Sequence, residues 1–273
     1  ATAIEEHWMP RGEKAPLPQT PTGIILSLAE KIDNLLCCFT IGLKPTSSSD
    51  PYALRRQVLG VIKILIKGKF RIPLISVLEQ CYDSFIVTLP EATIKKFSPE
   101  KEAIIRDICG FITNRIKTVF QEYGLTKDEV EASLSSGLTD IYDIYSRVKA
   151  LNAFRGNNER FSSLYETYKR ARGQLQKEAS TSSVNAALLM EQAEKALYDN
   201  VISIEGKLNN TIASYDYDKA YEYVATLQPH LALLFDKVKI MADDASLRKN
   251  RTALLTMVFE QFGKLLDFSK IRM

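Results

Sequence analysis

Cations, rather than nucleophiles or metal ligands, are the residues whose spacing suggests chemistry in this chain. Residues 50–71 read DPYALRRQVLGVIKILIKGKFR and carry six Lys or Arg, and residues 55–71 contain no acid. Three of these cations, Arg56, Lys63 and Lys67, fall within about 40° of one another on a helix that turns by about 100° per residue. A basic stripe of this kind suits the binding of phosphate groups.

Two interpretations of residues 50–71 are open. A run of charge is often no more than the solvated face of a helix. Exposed helices usually interleave the two signs, however, because an acid and a base four residues apart stabilise a helix. The absence of acids therefore favours a surface for a polyanion, on which Arg55, Arg56, Lys63 and Lys67 would meet phosphates.

A second basic cluster lies at residues 155–177, RGNNERFSSLYETYKRARGQLQK. It has six cations against two acids, and Phe161, Tyr165 and Tyr168 are interleaved with them. Splayed bases of single-stranded RNA stack on rings while arginines meet the phosphates, so this mixture favours RNA. The alternative is that the rings belong to the core, which is our prediction for Phe161 and Tyr165.

Metal and nucleophilic chemistry have little support in the sequence. The chain has two histidines, His7 and His230, and His7 with Asp33 is the pair that comes nearest to a metal site. There is no His-Asp dipeptide, no H-x-x-x-H or H-E-x-x-H spacing, no Gly-rich phosphate loop and no nucleophile elbow. We therefore predict neither a catalytic residue nor a metal ligand in this chain.

Composition places the chain among globular proteins with a substantial core. Its 273 residues are 45% hydrophobic and 25% charged, and 36 bases against 33 acids leave a net charge of +3. Binding of nucleic acid would then depend on local clusters of charge.

The four cysteines lack C-x-x-C spacing and lie in apolar runs, which predicts reduced, buried thiols and a cytoplasmic protein. No apolar run approaches the roughly 20 residues that span a bilayer, and the start without Met predicts a fragment of a longer chain.

The apolar periodicity is helical, so the predicted fold class is all-α. Helices are predicted at residues 22–41, 51–68, 98–123, a segment from Ile141 to Leu151, 160–178, 184–208, 216–241 and 247–267. Pro229 is a predicted break within the last but one of these. We divide the chain into two helical domains, 1–140 and 141–273.

Local signals predict several helix faces and ends. The core face of the first helix is predicted to contain Ile25, Leu28, Ile32, Leu35 and Leu36. Asp50 is the predicted N-cap of the second helix, with Pro51 at its first position. The core side of this second helix is predicted to contain Leu54, Val58, Val61, Ile62 and Leu65. Ser98 and Pro99 open the third helix, and Thr126 with Glu129 forms a predicted capping box.

Several stretches together resemble the β-subunit family of bacterial glycyl-tRNA synthetases. They are EEHWMPRGEKAPLP, LSLAEKIDNLLCCFTIGLKPTSSSDPYALRRQVLGVIKIL and, at the far end, LFDKVKIMADDASLRKNRTALL followed by LLDFSKI. They follow the family's order over essentially the whole chain. The resemblance implies the C-terminal part of that subunit, or of a chain in which α and β portions are fused.

The resemblance also implies how the work is divided. The family's β subunit has a helical region similar to HD phosphohydrolases, followed by a helical anticodon-binding domain of the arginyl-tRNA synthetase type. Activation of glycine with ATP and Mg²⁺, and its transfer to tRNA, belong to the α subunit or α portion. This chain would then bind tRNA-Gly and the α portion, without a cofactor of its own.

The residues expected to contact tRNA follow from the basic clusters and the resemblance together. They are Arg55, Arg56, Lys63 and Lys67 in the first domain, and Arg155, Tyr168, Lys169, Arg170, Arg172, Arg248, Asn250 and Arg251 in the second. Arg, Asn and aromatic side chains are suited to unstacked anticodon bases. For Arg251 the alternative is a structural ion pair with Asp236 or Asp243.

Two other functions stay open at this point. One is a structural module that docks the α portion without contacting tRNA. The other is a degenerate HD-type metal phosphohydrolase, which His7, Asp33 and the helical context suggest. Co-purification with the α portion without tRNA binding would favour the first, and stoichiometric transition metal would favour the second.

Overall fold

The structure is a computed structural model that describes residues 1–12, 14–97, 100–135, 137–175 and 183–272. These residues form helices and connecting segments with no strand among them, which confirms the all-α prediction. In chain order the helices are α1 (Thr2–Glu6), α2 (Pro21–Thr40), α3 (Leu54–Gly68), α4 (Leu74–Ile86), α5 (Glu91–Phe97), α6 (Lys101–Glu122), α7 (Lys127–Leu134), α8 (Ile141–Arg155), α9 (Asn158–Leu175), α10 (Gln192–Ala213), α11 (Tyr217–Ala225), α12 (Leu227–Lys237) and α13 (Ala245–Gly263).

The chain folds into two compact units. Unit 1 contains Ala1–Val130 and Gly137–Tyr145, and unit 2 contains Glu131–Ser136 and Ser146–Met273. Helices α7 and α8 therefore each contribute residues to both units. The sequence-based division after residue 140 stays a prediction about domains.

Helix α3 supplies much of the core of unit 1, where it packs against α2 and α6. Its predicted core side is confirmed, because all five side chains are buried: Leu54, Val58, Val61, Ile62 and Leu65. Helix α6 presents Ile108, Ile112 and Ile116, which are also buried and four residues apart. Burial of each such aliphatic side chain contributes about 1.5–3 kcal/mol, so this packing fixes the orientation of α3 and of its basic side.

The first three turns of α2 differ from the prediction. Ile25 is 66% exposed, whereas Ser27 and Lys31 are buried on another face of the helix. They point inward because the N-terminal segment packs there: Ser27 Oγ donates to the carbonyl oxygen of Met9 at 2.6 Å, and Lys31 Nζ donates to that of His7 at 3.2 Å. Ile25 was therefore wrongly assigned to the core.

Glu6 fixes the start of α2. Its carboxylate accepts hydrogen bonds from the backbone N–H groups of Gln19 at 2.9 Å and Thr20 at 3.0 Å, and from the Thr20 hydroxyl. Gly23 leaves the room that this arrangement needs, because a Cβ at that position would overlap Glu6 Oε2. The hydroxyl of Thr20 and the amide of Gln19 lower the pKa of Glu6.

Helix α3 begins three residues later than predicted. The N-cap residue is Ala53 and not Asp50 as predicted, although the Asp50 carboxylate still accepts hydrogen bonds from the N–H groups of Leu54 at 2.8 Å and Arg55 at 3.0 Å. Pro51 lies in the preceding turn, and Ala53 adopts a left-handed φ of 53° before the helix starts. Pro51 was therefore wrongly placed at the first helical position.

Unit 2 is organised around α10, which packs against α11, α12 and α13, while α9 packs on α12 and α13. The predicted helix at 216–241 is two helices, and the break falls at Thr226. Pro229 lies in the first turn of α12, where its missing N–H has no intrahelical partner to lose. The predicted break is thus present, although it precedes the proline.

Long-range hydrogen bonds attach the end of the chain to α8 and α9. Arg147 donates to the carbonyl oxygens of Lys264 at 3.0 Å and Leu265 at 3.1 Å. The hydroxyl of Tyr165 donates to the carbonyl oxygen of Ile271. Because these contacts join residues far apart in sequence, α8, α9 and the segment after α13 form one compact body with the rest of unit 2.

Other local predictions have mixed outcomes. The N–H of Thr126 donates to Glu129 Oε2 at 2.9 Å, as the capping box predicts. The predicted start at Ser98 and Pro99 lies outside the described residues, and α6 is described from Lys101. Across the described chain, no helix combines the length and apolar character that crossing a membrane requires.

All four thiols are free, as predicted. Cys38 is buried, but Cys37, Cys81 and Cys109 are half-buried, so the prediction of buried thiols was too strong for these three. Partial burial raises the pKa of Cys37, Cys81 and Cys109.

Candidate nucleic-acid interface

The first candidate surface is the α3 stripe, which consists of Arg56, Lys63 and Lys67 on unit 1. Arg56 and Lys67 are exposed, and neither has an acidic partner among the described residues. Lys63 lies between them, half-buried, with its Nζ 3.2 Å from Glu122 Oε2. A helix rises by about 1.5 Å per residue, so the stripe is long enough to meet more than one phosphate of a nucleic-acid backbone.

Arg55 belongs to a different group of side chains. Its guanidinium donates to the carbonyl oxygen of Thr46 and lies 3.7 Å from Asp50, so it fixes the loop before α3. Arg115 of α6 lies close enough to interact with it: burial first, and then the charge of Arg55, lower the pKa of Arg115. Sequence reasoning missed Arg115, because no linear pattern connects α6 with that loop.

The second candidate surface is the α9 pair, Lys169 and Arg170 on unit 2. Their side chains are 49% and 55% exposed. Lys169 Nζ lies 3.3 Å from Glu166, and Arg170 donates to the carbonyl oxygen of Phe235 at 3.1 Å while its Nη1 lies 3.7 Å from Asp236. Exposed ion pairs contribute only about 0–1 kcal/mol, so a phosphate can replace these carboxylates at little cost.

Contacts with aromatic rings hold several cations of this region in place. The distances from the charged group to the ring centre are 5.4 Å for Arg155 and Phe161, 5.7 Å for Arg160 and Phe154, and 4.6 Å for Lys169 and Tyr165. Phe161 and Tyr165 are buried, which confirms that they belong to the core. The region therefore offers positioned cations rather than open rings.

Arg155 and Arg172 are both half-buried. Arg155 Nη2 donates to the carbonyl oxygen of Arg272 at 2.8 Å, so this arginine helps to hold the end of the chain. Burial raises the pKa of the Tyr168 phenol, and Arg172 lies close enough for its positive charge to oppose that rise. Arg160, which is exposed on α9, was counted in the cluster but not selected as a contact residue.

Tyr168 lies inside unit 2. It is 5% exposed, and ring centres lie 4.7 Å away for Phe259, 5.2 Å for Phe262 and 5.5 Å for Phe268. Burial raises the pKa of Tyr168 to about 12. A base has no access to this ring in the folded unit, so Tyr168 is left out of the contacts proposed below.

Arg251 forms a buried ion pair. It is 8% exposed, its Nε donates to Glu194 Oε1 at 2.6 Å, and its Nη1 donates to the carbonyl oxygen of Lys239 at 2.9 Å. The alternative prediction of a structural ion pair is therefore confirmed, but its predicted partners, Asp236 and Asp243, were wrong. The partner Glu194 lies on α10 and could not be read from the local sequence.

Arg248 and Asn250 also serve the fold of unit 2. Asn250 is 5% exposed and makes two hydrogen bonds with the backbone of Asn185, at 2.8 and 3.1 Å. Arg248 donates to the carbonyl oxygen of Ala242 at 2.8 Å. These contacts hold the segments before α10 and α13, and Asn250 and Arg251 are left out of the proposed RNA contacts.

The described residues do not gather three or more His, Cys, Asp or Glu side chains in an arrangement that could hold a metal ion. Nδ1 of His7 contacts the carbonyl oxygen of Ile4, and the His7 ring centre lies 4.8 Å from that of Trp8. Asp33 lines a groove between α2 and α4. Within the described chain, nothing completes a metal site around this pair.

Comparison with known proteins identifies the class. Residues 161–273, which contain α10 to α13 and most of α9, match the family described as "DALR anticodon binding domain". Unit 2 thus places the chain among proteins with a helical anticodon-binding domain. Residues 1–135 match the family described as "Glycyl-tRNA synthetase beta subunit". The chain belongs to the glycyl-tRNA synthetase beta subunit family, as the resemblance implied.

Relatives from several bacteria carry the name "Glycine–tRNA ligase beta subunit". The relative from Desulforamulus reducens is 35% identical over 271 residues, which are 99% of this chain. Those from Clostridioides difficile and Geobacter sp. are each 34% identical, over 98% and 99% of the chain. The chain spans 38% of the length of each of these relatives.

Proposed function

We propose that this chain is the tRNA-binding, non-catalytic portion of a glycine–tRNA ligase. The complete enzyme would glycylate tRNA-Gly in the cytoplasm, with ATP and Mg²⁺ used by its α portion. This chain would bind the anticodon region and hold the tRNA in position for that portion. The family match and the absence of any recognisable catalytic motif in the sequence support this assignment.

The α9 pair carries the proposal. Lys169 and Arg170 are exposed, and they lie within the residues that match an anticodon-binding domain. Each is held by weak surface contacts that a phosphate or a base edge can replace. A guanidinium presents several donors in one plane, which suits either the phosphates or the edges of unpaired bases.

The α3 stripe would have a different part in binding. Its exposed members, Arg56 and Lys67, lie outside the residues that match the anticodon-binding domain. Phosphate contacts contribute equally for every tRNA, whereas base contacts determine preference among sequences. We therefore assign the α3 stripe to the tRNA backbone and the α9 pair to the anticodon region.

Combined replacement of Lys169 and Arg170 by Ala tests the proposal. Binding of tRNA-Gly and of a tRNA-Gly with a swapped anticodon is titrated at two salt concentrations. The double variant is expected to bind tRNA-Gly about tenfold or more weakly and to show a flatter salt dependence, because charged contacts are lost. If either residue reads a base, the preference for the glycine anticodon also falls.

The control variant is Lys219→Ala. Lys219 is exposed on the same unit and forms an i,i+3 ion pair with Asp216, as Lys169 does with Glu166. It is expected to leave tRNA binding unchanged. Unaltered affinity and salt slope in the double variant, with a normal melting temperature, would remove the α9 pair from the tRNA site.

A structural docking role is the second candidate function, and exposed apolar side chains on unit 1 favour it. Ile25 and Leu26 of α2 are 66% and 43% exposed, and Ile4 of α1 is 72% exposed. Exposed apolar groups of this kind are common at sites of protein contact. Replacement of Ile25 and Leu26 by Ser is expected to abolish co-purification with the α portion if that portion docks there.

A further inference from the structure

A cleft on unit 1 combines the side chains that a nucleotide requires. It has a volume of about 270 Å³ and lies between the N-terminal segment, α2 and the start of α3. Its lining includes the rings of Trp8 and Tyr52 and the cations Arg11, Lys31 and Arg56. This volume lies just below the range of about 300–1,000 Å³ that is typical of small-molecule sites, so the cleft can take at most one nucleotide.

The two rings at the cleft are open to solvent. Trp8 is 58% exposed and Tyr52 is 49% exposed, although large aromatic side chains are usually well buried. Gln57 positions the turn that carries Tyr52, because its Nε2 donates to the Tyr52 carbonyl oxygen at 3.0 Å and its Oε1 accepts from Asn34 at 3.0 Å. Such rings offer flat faces on which a base can stack.

The positive charge around the cleft is only partly neutralised. Arg11 and Arg56 are exposed and form no ion pair with an acid in the described part of the chain. Lys31 is 4% exposed, and its Nζ donates to the carbonyl oxygens of His7 and Ser27 and to Ser27 Oγ, which are all neutral acceptors. Burial lowers the pKa of Lys31, and the charge of Glu30 opposes that shift. Three cations therefore face one carboxylate at this site.

Glu30 supplies an acceptor that the fold does not use. It lines the cleft, and its Oε2 is buried without a hydrogen-bond partner among the described residues. A buried acceptor without a donor is unfavourable, so a ligand that draws this side chain into the cleft and donates a hydroxyl or amino hydrogen to it would be stabilised. A ribose hydroxyl or an exocyclic amine of a base is such a donor.

We propose that this cleft binds one ribonucleotide, with its base against Trp8 and Tyr52 and its phosphate at Arg11 and Arg56. The nucleotide is either free or an unpaired residue of a bound RNA, since both present the same groups. The proposal goes beyond the tRNA-binding function, because a free nucleotide can occupy the cleft whether or not the chain binds tRNA.

Trp8 is the only tryptophan of the chain, so its fluorescence reports on this cleft alone. AMP, GMP and a short single-stranded RNA are titrated separately, with excitation at the red edge where nucleotides do not absorb. Saturable quenching by the mononucleotides assigns the cleft to free nucleotides, and quenching by RNA alone assigns it to a residue within a chain. Adenosine is expected to bind about tenfold more weakly than AMP, because the charged phosphate contacts are missing.

Two variants that keep Trp8 test whether Tyr52 stacks on the base and whether Arg56 binds the phosphate. Tyr52→Ala removes a stacking face and Arg56→Gln removes a phosphate contact, and each is expected to weaken quenching about tenfold. Arg106→Gln is the matched control: it removes an exposed arginine from α6 of the same unit, outside the lining of the cleft and outside both candidate tRNA surfaces, and should leave mononucleotide quenching unchanged. Thermal melting checks that each variant is folded.

The outcomes separate this proposal from the tRNA-binding function. The cleft assignment is overturned if neither a nucleotide nor RNA quenches the fluorescence of Trp8. It is also overturned if nucleotides quench this fluorescence equally well in Tyr52→Ala, in Arg56→Gln and in the unaltered chain. Loss of tRNA affinity on replacement of Lys169 and Arg170 would still support tRNA binding in that case. Quenching by mononucleotides together with unaltered tRNA binding by that double variant would support the cleft alone.

Discussion

At the scale of single residues, charged side chains in this protein serve two different purposes. Arg251, Lys31 and Glu6 are buried and hold backbone segments or other side chains, whereas Lys67 and Lys169 lie in solvent. Composition and spacing do not distinguish the two kinds. What separates them is whether another element covers the side chain, and that depends on contacts between residues far apart in sequence.

The ion pair between Arg251 and Glu194 gives a prediction about stability. Replacement of Arg251 by Met leaves the Glu194 carboxylate, which has no exposed surface, without its cation. Removal of one partner of a buried pair costs about 3–5 kcal/mol, and the free energy of unfolding of unit 2 should fall by that order in urea titrations. Lys249→Met, a substitution at an exposed position two residues away, serves as the control. An equal loss of unfolding free energy in both variants would show that the ion pair between Arg251 and Glu194 does not stabilise unit 2.

The lowered pKa of Glu6 predicts how stability depends on pH. An unfolded Glu has a pKa of about 4.3, and the folded value is lower because the Thr20 hydroxyl and the Gln19 amide donate to the carboxylate. Glu6 therefore stabilises the fold above about pH 4.3, and this contribution is lost as the pH falls through the folded pKa. The melting temperature of Glu6→Gln should lie below that of the unaltered chain at pH 7.

The comparison of the two melting temperatures across pH completes this test. Their difference is expected to shrink as the pH falls below about 4, because the carboxylate then becomes protonated. Glu5→Gln removes the same charge from an exposed neighbouring position and should change the melting temperature little. A difference that stays constant from pH 7 to pH 3 would mean that the charge of Glu6 is not what stabilises the start of α2.

At the scale of elements, apolar periodicity predicted where the helices lie better than where they begin. All five residues predicted for the core side of α3 are buried, because packing against α2 and α6 follows their three- and four-residue spacing, but Ile64 and Ile66 are buried as well and were not predicted. Its first turn was misplaced, since Ala53 takes a left-handed conformation that a composition of Pro, Tyr and Ala does not signal. Ile25 was misassigned because the N-terminal segment, rather than another helix, covers α2 there.

The end of α3 gives a prediction of increased stability. Lys69 caps the helix with a left-handed φ of 55°, and the N–H of Phe70 donates to the carbonyl oxygen of Leu65 at 3.0 Å. Glycine adopts this conformation without the clash of a Cβ, so Lys69→Gly should raise the free energy of unfolding of unit 1 by about 0.5–1 kcal/mol. Lys67→Gly, inside the helix, should lower it by about 1 kcal/mol. Changes of the same sign in the two variants would contradict this account of the cap.

At the scale of the whole molecule, charge is arranged locally and not globally. A net charge of +3 on 273 residues gives little general attraction for nucleic acid. The basic clusters were visible in the sequence, but their acidic partners were not: Glu122 lies opposite Lys63, and Asp236 opposite Arg170. The sequence thus located the candidate surfaces, whereas folding selected the cations that remain exposed on them.

The salt dependence of tRNA binding distinguishes local from global charge. Replacement of Arg56 and Lys67 by Gln removes two cations from the α3 stripe, and replacement of Lys207 and Lys249 by Gln removes two exposed cations from unit 2 outside the α9 pair. Each double variant lowers the net charge by two, from +3 to +1. If general attraction dominates, the two double variants should change the salt dependence of tRNA binding equally. If the α3 stripe contacts phosphates, only the Arg56 and Lys67 variant should change it.

The slope of log K against log salt is negative, and the stripe variant is expected to reduce its magnitude by about 0.7–0.9 for each phosphate contact that it loses. The Lys207 and Lys249 variant should keep the slope of the unaltered chain, because neither cation belongs to a candidate surface. Measurement of tRNA-Gly binding at four or more salt concentrations gives each slope. Equal slopes for the two variants would mean that the α3 stripe does not touch the RNA backbone, and the proposed part of unit 1 in holding tRNA would then have to be abandoned.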